Sequence, residues 1–283
     1  MPYTTLIDTE ALNHHLHDSD WVVLDCRFTL TDTEAGRSDY DENHIPGARY
    51  AHLDNDMAAP VTEDTGRHPL PDVETLAKKL GEWGIDNSKQ VVVYDDAFGS
   101  MACRMWWLLR WLGHDNVALL DGVLPKWIRE KRPLTQDKPD INPVTFIPHI
   151  RDALWVDANT AKAAVDNDDK ALIDARSEER FTGEVEPLDK VAGHVPGAIS
   201  NPYDENLDIG GDLMPVDELQ ELYNDLLADV KPENVIHMCG SGVTACHSVL
   251  AMEVAGMKGS RLYVGSWSEW ITDAGRPVAT GEE

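Results

Sequence analysis

The sequence predicts an α/β protein of two similar domains, each a mostly parallel sheet flanked by helices on both faces. The first observation behind this is that the chain repeats itself once, in order, over about 130 residues. The second is that short apolar runs alternate with helical patterns within each copy, as expected for parallel strands joined by crossover helices. The third is that two of those runs end in glycine-bearing turns that open directly into apolar helices.

The repeat is visible part by part. Val22-Val23-Leu24-Asp25-Cys26-Arg27 is matched by Ala171-Leu172-Ile173-Asp174-Ala175-Arg176, and His44-Ile45-Pro46-Gly47-Ala48 by His194-Val195-Pro196-Gly197-Ala198. Gln90–Tyr94 corresponds to Asn234–Met238. Leu119-Leu120-Asp121-Gly122, followed by Trp127, corresponds to Leu262–Gly265, followed by Trp270. Both copies close on Arg-Pro. A first domain is expected over 1–135 and a second over 151–283. Between them, the polar, proline-bearing stretch from Lys131 to Pro148 supplies a linker at 136–150.

Helices are expected over Ala102–Leu112 and Thr244–Ala255, each following a strand. Another is expected over Met214–Asp229, with apolar Leu219, Leu222, Leu226 and Leu227 on one face and Asp217 as candidate N-cap. Trp106, Trp107 and Trp111 fit a buried helix rather than a ligand cage. His44 and His194 occupy matched turns, and Asp25 with Arg27 and Asp174 with Arg176 occupy matched strand ends. Their presence in both copies argues for structural roles.

The chemistry concentrates at Val235-Ile236-His237-Met238-Cys239-Gly240-Ser241-Gly242-Val243-Thr244-Ala245. A strand ends in one cysteine, turns through glycines and becomes a helix. That layout aims backbone N–H groups and a helix N-terminus at sulfur. Charge-assisted N–H bonds contribute about 1.5–3 kcal/mol each. One pKa unit corresponds to about 1.36 kcal/mol, so two or three donors keep a thiol of ordinary pKa ~8.5 ionised at neutral pH. Gly240 and Gly242 allow successive amides to converge. The bland alternative is a buried structural cysteine. Thr244 is expected as the first helical residue, its hydroxyl bonding sulfur or capping the helix.

Composition narrows the partners. Net charge is −27, spread as 25 acids and 14 bases over 1–150 and 26 and 10 over 151–283. This excludes nucleic acid and anionic membrane as expected partners. No apolar run approaches the ~20 residues that span a bilayer. The first ten residues carry no secretory signature. Four cysteines without metal-type pairing suit a reducing, cytoplasmic setting. Cys246 lies two turns beyond Cys239, roughly 10 Å along the helix, outside disulfide reach.

Where the second copy has Cys239, the first has Asp95, in a loop one residue longer. The first copy is therefore expected to be inert, contributing one wall of a cleft. An anionic substrate in so acidic a protein needs a local positive cluster.

These residues resemble the tandem-domain rhodaneses, a family of sulfurtransferases, over nearly the whole chain. The shared motifs are the Asp-x-Arg strand end, the His-x-Pro-Gly-Ala turn, the cysteine loop and Gly265-Ser266-Trp267-Ser268-Glu269-Trp270. The loop Cys239-Gly240-Ser241-Gly242-Val243-Thr244 is similar to the 3-mercaptopyruvate sulfurtransferase branch. Thiosulfate-preferring members typically carry Arg and Lys where this chain has Gly240 and Ser241. The resemblance implies a Cys239 persulfide fed by a small anionic donor, 3-mercaptopyruvate first and thiosulfate as alternative. It implies delivery to cyanide, a small thiol or a thioredoxin-like protein, with no metal or organic cofactor, in a protein expected to be monomeric. Gly240, Gly242, Val243 and Thr244 would surround the substrate.

Arg180 matches a family arginine that grips the donor's carboxylate, a role suited to its planar fork. A surface ion pair with Glu178 or Glu184 is the plainer reading. Some members carry a second arginine nine residues on. Here that position is Asp189, with Lys190 beside it as a substitute. Asp54 and His68 match first-domain residues facing the cysteine, and with Ser241 they imply a proton relay to the departing enolate. His68 could equally be an ordinary loop histidine. Two other classes stand as alternatives. A phosphatase-type Cys-x5-Arg loop is disfavoured because Ala245 and Cys246 hold the positions where its arginine would lie. A non-catalytic scaffold or sulfur carrier would keep the loop without turnover.

Overall fold

In the computed structural model, which describes residues 2–167 and 169–282, ten strands form two five-stranded sheets. The first half carries β1 (Leu6–Ile7), β2 (Trp21–Asp25), β3 (Arg49–Tyr50), β4 (Gln90–Tyr94) and β5 (Val117–Leu120), ordered β1-β5-β4-β2-β3. The second carries β6 (Trp155–Val156), β7 (Ala171–Asp174), β8 (Ile199–Ser200), β9 (Val235–Met238) and β10 (Arg261–Tyr263), ordered β6-β10-β9-β7-β8. Every pairing among these strands is parallel. The two orders are the same topology, so the sequence repeat is a structural repeat. The expected fold class is the one observed.

Covering both faces is what makes the central strands predominantly apolar. In the second sheet Leu172, Ile236 and Met238 pack with Trp267 and Trp270 on one side. Ala171, Ile173 and Val235 pack with Leu219, Tyr223 and Ala251 on the other. Alternate residues of β7 and β9 thus feed different cores, the period-two rule of a strand. In the first sheet Val91, Val92 and Val93 are fully buried.

Residues up to Ala59, Leu70–Arg151 and Gly210–Asp212 form one compact unit. Pro60–Pro69, Asp152–Ile209 and the chain from Leu213 onward form the other. Residues 136–150, expected as linker, carry no helix or strand and belong to the first unit. There the Val144 and His149 N–H groups donate to the carbonyls of Gly81 and Leu112 at 3.0 and 2.8 Å, and Phe146 is buried.

Helix limits shift slightly from expectation. The helix after β9 is Ala245–Val254, with Thr244 in the cap position but with helical backbone angles and no side-chain capping bond. The helix expected from Met214 runs Val216–Leu227. Its cap position holds Pro215, not Asp217, which lies inside the first turn. Proline's fixed φ pre-sets the helix start without a side-chain cap. The helix after β4 is Ala102–Trp111, buried almost all round, with Trp106, Trp107 and Trp111 in the core.

The matched polar residues tie strand ends together in each unit. Arg27 Nη2 donates to Asp25 Oδ2 at 2.7 Å and to the Asn43 carbonyl at 2.6 Å. Arg176 Nη2 does the same to Asp174 Oδ2 and the Gly193 carbonyl, at 2.7 and 2.8 Å. His44 and His194 are fully buried, stacked on Tyr40 and Phe181, and bonded through Nδ1 to the carbonyls of those same residues. Asp25→Ala should therefore strand the buried Arg27 charge. The expected cost is about 3–5 kcal/mol, read as a lower urea midpoint for unfolding of the first unit. An unchanged midpoint would remove Asp25 from this role.

Candidate active site

The register of the two central strands puts Asp95 and Cys239 in the same place. Tyr94 pairs with Asp25 and Met238 pairs with Asp174, and the next residue is Asp95 in one copy and Cys239 in the other. The loop of the first copy is longer by one, with seven steps from Asp95 to Ala102 against six from Cys239 to Ala245.

The first copy displays what this turn does with an anion. The fully buried Asp95 carboxylate accepts four backbone N–H bonds, from Ala97, Gly99 and Met101 at 2.9 Å and Ala102 at 2.8 Å. Burial pushes its pKa up, and the four amides work against that rise. Strand, turn and helix start converge amides on one point, as in other anion-holding backbone nests.

In the second copy the turn is clipped from behind by residues 263–268. The Cys239 N–H donates to Ser266 Oγ at 3.1 Å, and that hydroxyl donates to the Tyr263 carbonyl at 2.8 Å. Trp267 and Ser268 donate N–H bonds to the carbonyls of Cys239 and Gly240 at 3.0 and 2.9 Å. Gly242 has φ +74°, and a Cβ there would stand 2.3 Å from the Val264 carbonyl oxygen. Only glycine fits. Cys239 itself is 2% exposed.

Gly240 is small for another reason. A Cβ would come within 2.8 Å of Arg67 Nη2 and 3.4 Å of both terminal nitrogens of Arg180. Two guanidinium groups therefore lie against the residue after the cysteine. Arg180, in the short helix Glu178–Thr182, donates to Glu186 at 3.0 Å and to Asp189 Oδ2 at 3.1 Å. Arg67 Nη1 pairs closely with Asp189 Oδ1. Arg180 thus pairs with Glu186 and Asp189, and not with Glu178 or Glu184 as its plainer reading expected. The chain folds back after residue 183, bringing later acids under the guanidinium.

Asp189 bridges both arginines. Burial pushes its pKa up, opposed by Arg67 and Arg180 and reinforced by Glu186. Burial also works against the Glu186 carboxylate, but Arg180 and the N–H groups of Leu188 and Asp189 outweigh it and hold its pKa below the ordinary value. Lys190 is exposed and lines a cavity of about 610 Å³ with Arg67, Asp189 and Ser268. The second guanidinium beside Gly240 is Arg67, a residue that sequence reasoning passed over.

Arg67 arrives with residues 60–69, which pack on the second unit. The Arg67 N–H donates to Ser268 Oγ at 3.0 Å, and a Cβ on Gly66 would lie 2.5 Å from the Gly265 carbonyl oxygen. This docking also places His68, whose Nδ1 is 2.7 Å from Ser241 Oγ, both side chains being buried. The expected Ser241–His68 pair is therefore in hydrogen-bond contact. Asp54 is an exposed residue of the first unit, in the one-turn helix Leu53–Asp56. Val243 is buried and Thr244 half-buried along the loop. Among the described residues no three His, Cys, Asp or Glu side chains are grouped to hold a metal.

Comparison with known proteins agrees with this architecture. The rhodanese-like domain matches twice, over residues 8–130 and 157–273. The chain is 46% identical over 284 residues to a Pseudomonas aeruginosa protein named probable 3-mercaptopyruvate sulfurtransferase, with 100% of each covered. It is 34% identical over 245 residues to 3-mercaptopyruvate sulfurtransferase of Homo sapiens, covering 84% of this chain and 80% of the human one. The crystal structure of SseA from Escherichia coli, described among 3-mercaptopyruvate sulfotransferases, superposes with TM-score 0.80 at 29% identity, covering 94% of this chain and all of that one. With two matched sheets, a cysteine in one central turn and an aspartate in the other, the chain belongs to the rhodanese family as a tandem-domain member.

Proposed function

We propose that this protein is a sulfurtransferase that moves sulfur from 3-mercaptopyruvate through a Cys239 persulfide to a thiol or cyanide acceptor, releasing pyruvate. The observation that carries the reading is the pair of guanidinium groups, Arg67 and Arg180, set against Gly240 beside the nucleophile. Guanidinium donors one residue away from the sulfur suit a donor whose carboxylate is separated from its sulfur by a short carbon chain and competes for them with Asp189. Residues within the loop itself, Gly240 through Thr244, carry no base.

The Cys239 thiolate attacks the donor's sulfur. The carbon–sulfur bond breaks, its electron pair leaves on carbon as the enolate of pyruvate, and Cys239 retains the sulfur as a persulfide. The enolate takes a proton, and Ser241 hydrogen-bonded to His68 is the group built to pass it. For Asp54 the support is the motif resemblance alone. An acceptor thiolate then attacks the outer sulfur and the Cys239 thiolate leaves; cyanide in the same step becomes thiocyanate. Gly240, Gly242, Val243 and Thr244 form the cradle, and Lys190 borders the adjoining cavity. The catalytic part is the second domain, 151–283 with residues 60–69; the first, 1–135, holds Asp95 where a nucleophile would be.

A thioredoxin-like protein or a small thiol is the proposed acceptor, and the protein acts as a monomer in the cytoplasm. All four cysteines being free thiols supports a reducing compartment. No helix among the described residues is long and apolar enough to cross a membrane. The donor assignment is tested by kcat/KM for the two donors. Mercaptopyruvate should be favoured over thiosulfate by at least about tenfold, corresponding to about 1.4 kcal/mol. A preference for thiosulfate would overturn it.

A further inference from the structure

The inert first unit carries a cavity of about 520 Å³ at its edge strand β3, far larger than a solvent gap and within the range of small-ligand sites. Its lining includes Arg37, Arg49 and His52, with Tyr40, Tyr50 and Trp83 as aromatic walls. Two other bases in the lining are neutralised locally. Lys79 pairs with Asp56 at 2.8 Å, and Lys138 pairs closely with Asp41. Arg37 and Arg49 form no close ion pair, although Glu34 lines the same cavity and Arg37 acts on the Asp41 carboxylate at longer range. Among the described residues neither has a carboxylate within 4 Å. Arg49 gives Nε to the Trp83 carbonyl at 3.1 Å and Nη1 to the Gly47 carbonyl at 2.6 Å, leaving Nη2. Arg37 lies over the Tyr50 and Tyr40 rings, 5.0 and 5.8 Å from their centroids.

His52 adds a third donor. Its Nδ1 accepts the N–H groups of Asp54 and Asn55 at 3.1 and 3.3 Å, so in the neutral ring the proton sits on Nε2. The residue is 7% exposed, and Nε2 has no hydrogen-bond partner. The nearest carboxylate oxygen, on the exposed Glu34 side chain, is 4.0 Å away. A buried donor left without an acceptor costs about 1–3 kcal/mol, a cost relieved when a ligand supplies one.

Two comparisons make the cluster informative. In a chain with 51 acids and 24 bases, a cavity lined by two arginines, two lysines and a histidine against two acids, Glu34 and Asp56, runs against the composition. By sheet register and chain order the second unit has Ile199, Ser200 and Pro202 where the first has Arg49, Tyr50 and His52. The basic lining is therefore no part of the shared framework.

We propose that this cavity binds the phosphoryl group of a small metabolite, with the aromatic walls accommodating its organic part. The Arg37 guanidinium, the Arg49 Nη2 group and the His52 imidazole N–H together offer more donors than one carboxylate can accept, and a tetrahedral oxyanion answers them.

The test is calorimetric titration of the full chain with inorganic phosphate and pyrophosphate, with acetate as the carboxylate control. Saturable one-to-one binding is expected, weakened at least about tenfold in Arg37→Met and in Arg49→Met and unchanged in Cys239→Ser. If Arg49→Met fails to fold, Arg37→Met decides, since its exposed side chain makes no backbone bonds among the described residues. The proposal is overturned by absence of saturable phosphate binding or by equal affinity in Arg37→Met. Loss of binding in Cys239→Ser, or acetate binding as tightly as phosphate, overturns it too.

Discussion

Cys239→Ser should lose mercaptopyruvate-dependent pyruvate release by at least about 10⁴-fold in kcat/KM, the scale seen when a nucleophile is removed from an otherwise intact site. The substitution keeps the side chain's size and leaves the clip from Ser266, Trp267 and Ser268 in place, because those bonds are made by the backbone of residues 239 and 240. Stability should change by no more than about 1 kcal/mol. The informative readout is intact mass after brief exposure to donor. The native chain should gain one sulfur, about 32 Da, as a persulfide. The serine variant should gain nothing. A sulfur retained by the variant would move the nucleophile to another thiol. Burial and the Asp25 charge push the Cys26 thiol pKa well up, making it a poor substitute.

Arg67→Leu should raise the KM for mercaptopyruvate about 10- to 100-fold, with a smaller loss of kcat. Arg180→Leu should do the same. The magnitude follows from losing one charge-assisted contact of about 1.5–3 kcal/mol, and the division between KM and kcat from a contact made equally in ground and transition states. Asp189→Asn should act in the opposite direction. Its carboxylate lies between the two guanidinium groups and competes for them with any incoming carboxylate. Neutralising it removes the acid shared by the two groups, while Arg180 keeps its pairing with Glu186, so KM should fall. Because burial already favours the protonated form of Asp189, the native chain should approach the variant's KM as pH falls, whereas the variant should lack that trend. An unchanged KM in Arg67→Leu would remove that residue from the site.

Much of the site was legible from local chemistry. The strand ending at Met238, the cysteine, the glycines and the helix that follows are contiguous, so their geometry is a short-range consequence of propensity and turn requirements. The Asp25–Arg27 and Asp174–Arg176 ties are two residues apart and read the same way. Arg67 was not legible. It meets Asp189 across 122 positions of chain, and His68 meets Ser241 across 173. Neither separation has a periodicity to betray it. Arg67 stands next to His68 in the chain, and the close approach of Gly66 to the Gly265 carbonyl that seats it is a contact between residues 199 apart.

What the amino-acid order determined unaided was the duplication, the parallel α/β class, and which copy carries the thiol. Each depends on residues near one another in the chain, where alternation, turn glycines and strand-to-helix succession leave few choices. What only the tertiary structure decided was the charge around the sulfur: residues 60–69 of the first half pack on the second unit, Arg67 stands against Gly240 with Arg180, and Asp189 bridges the pair. Ion pairing acts through space between groups that burial brings together, so its partners are set by packing rather than by sequence spacing.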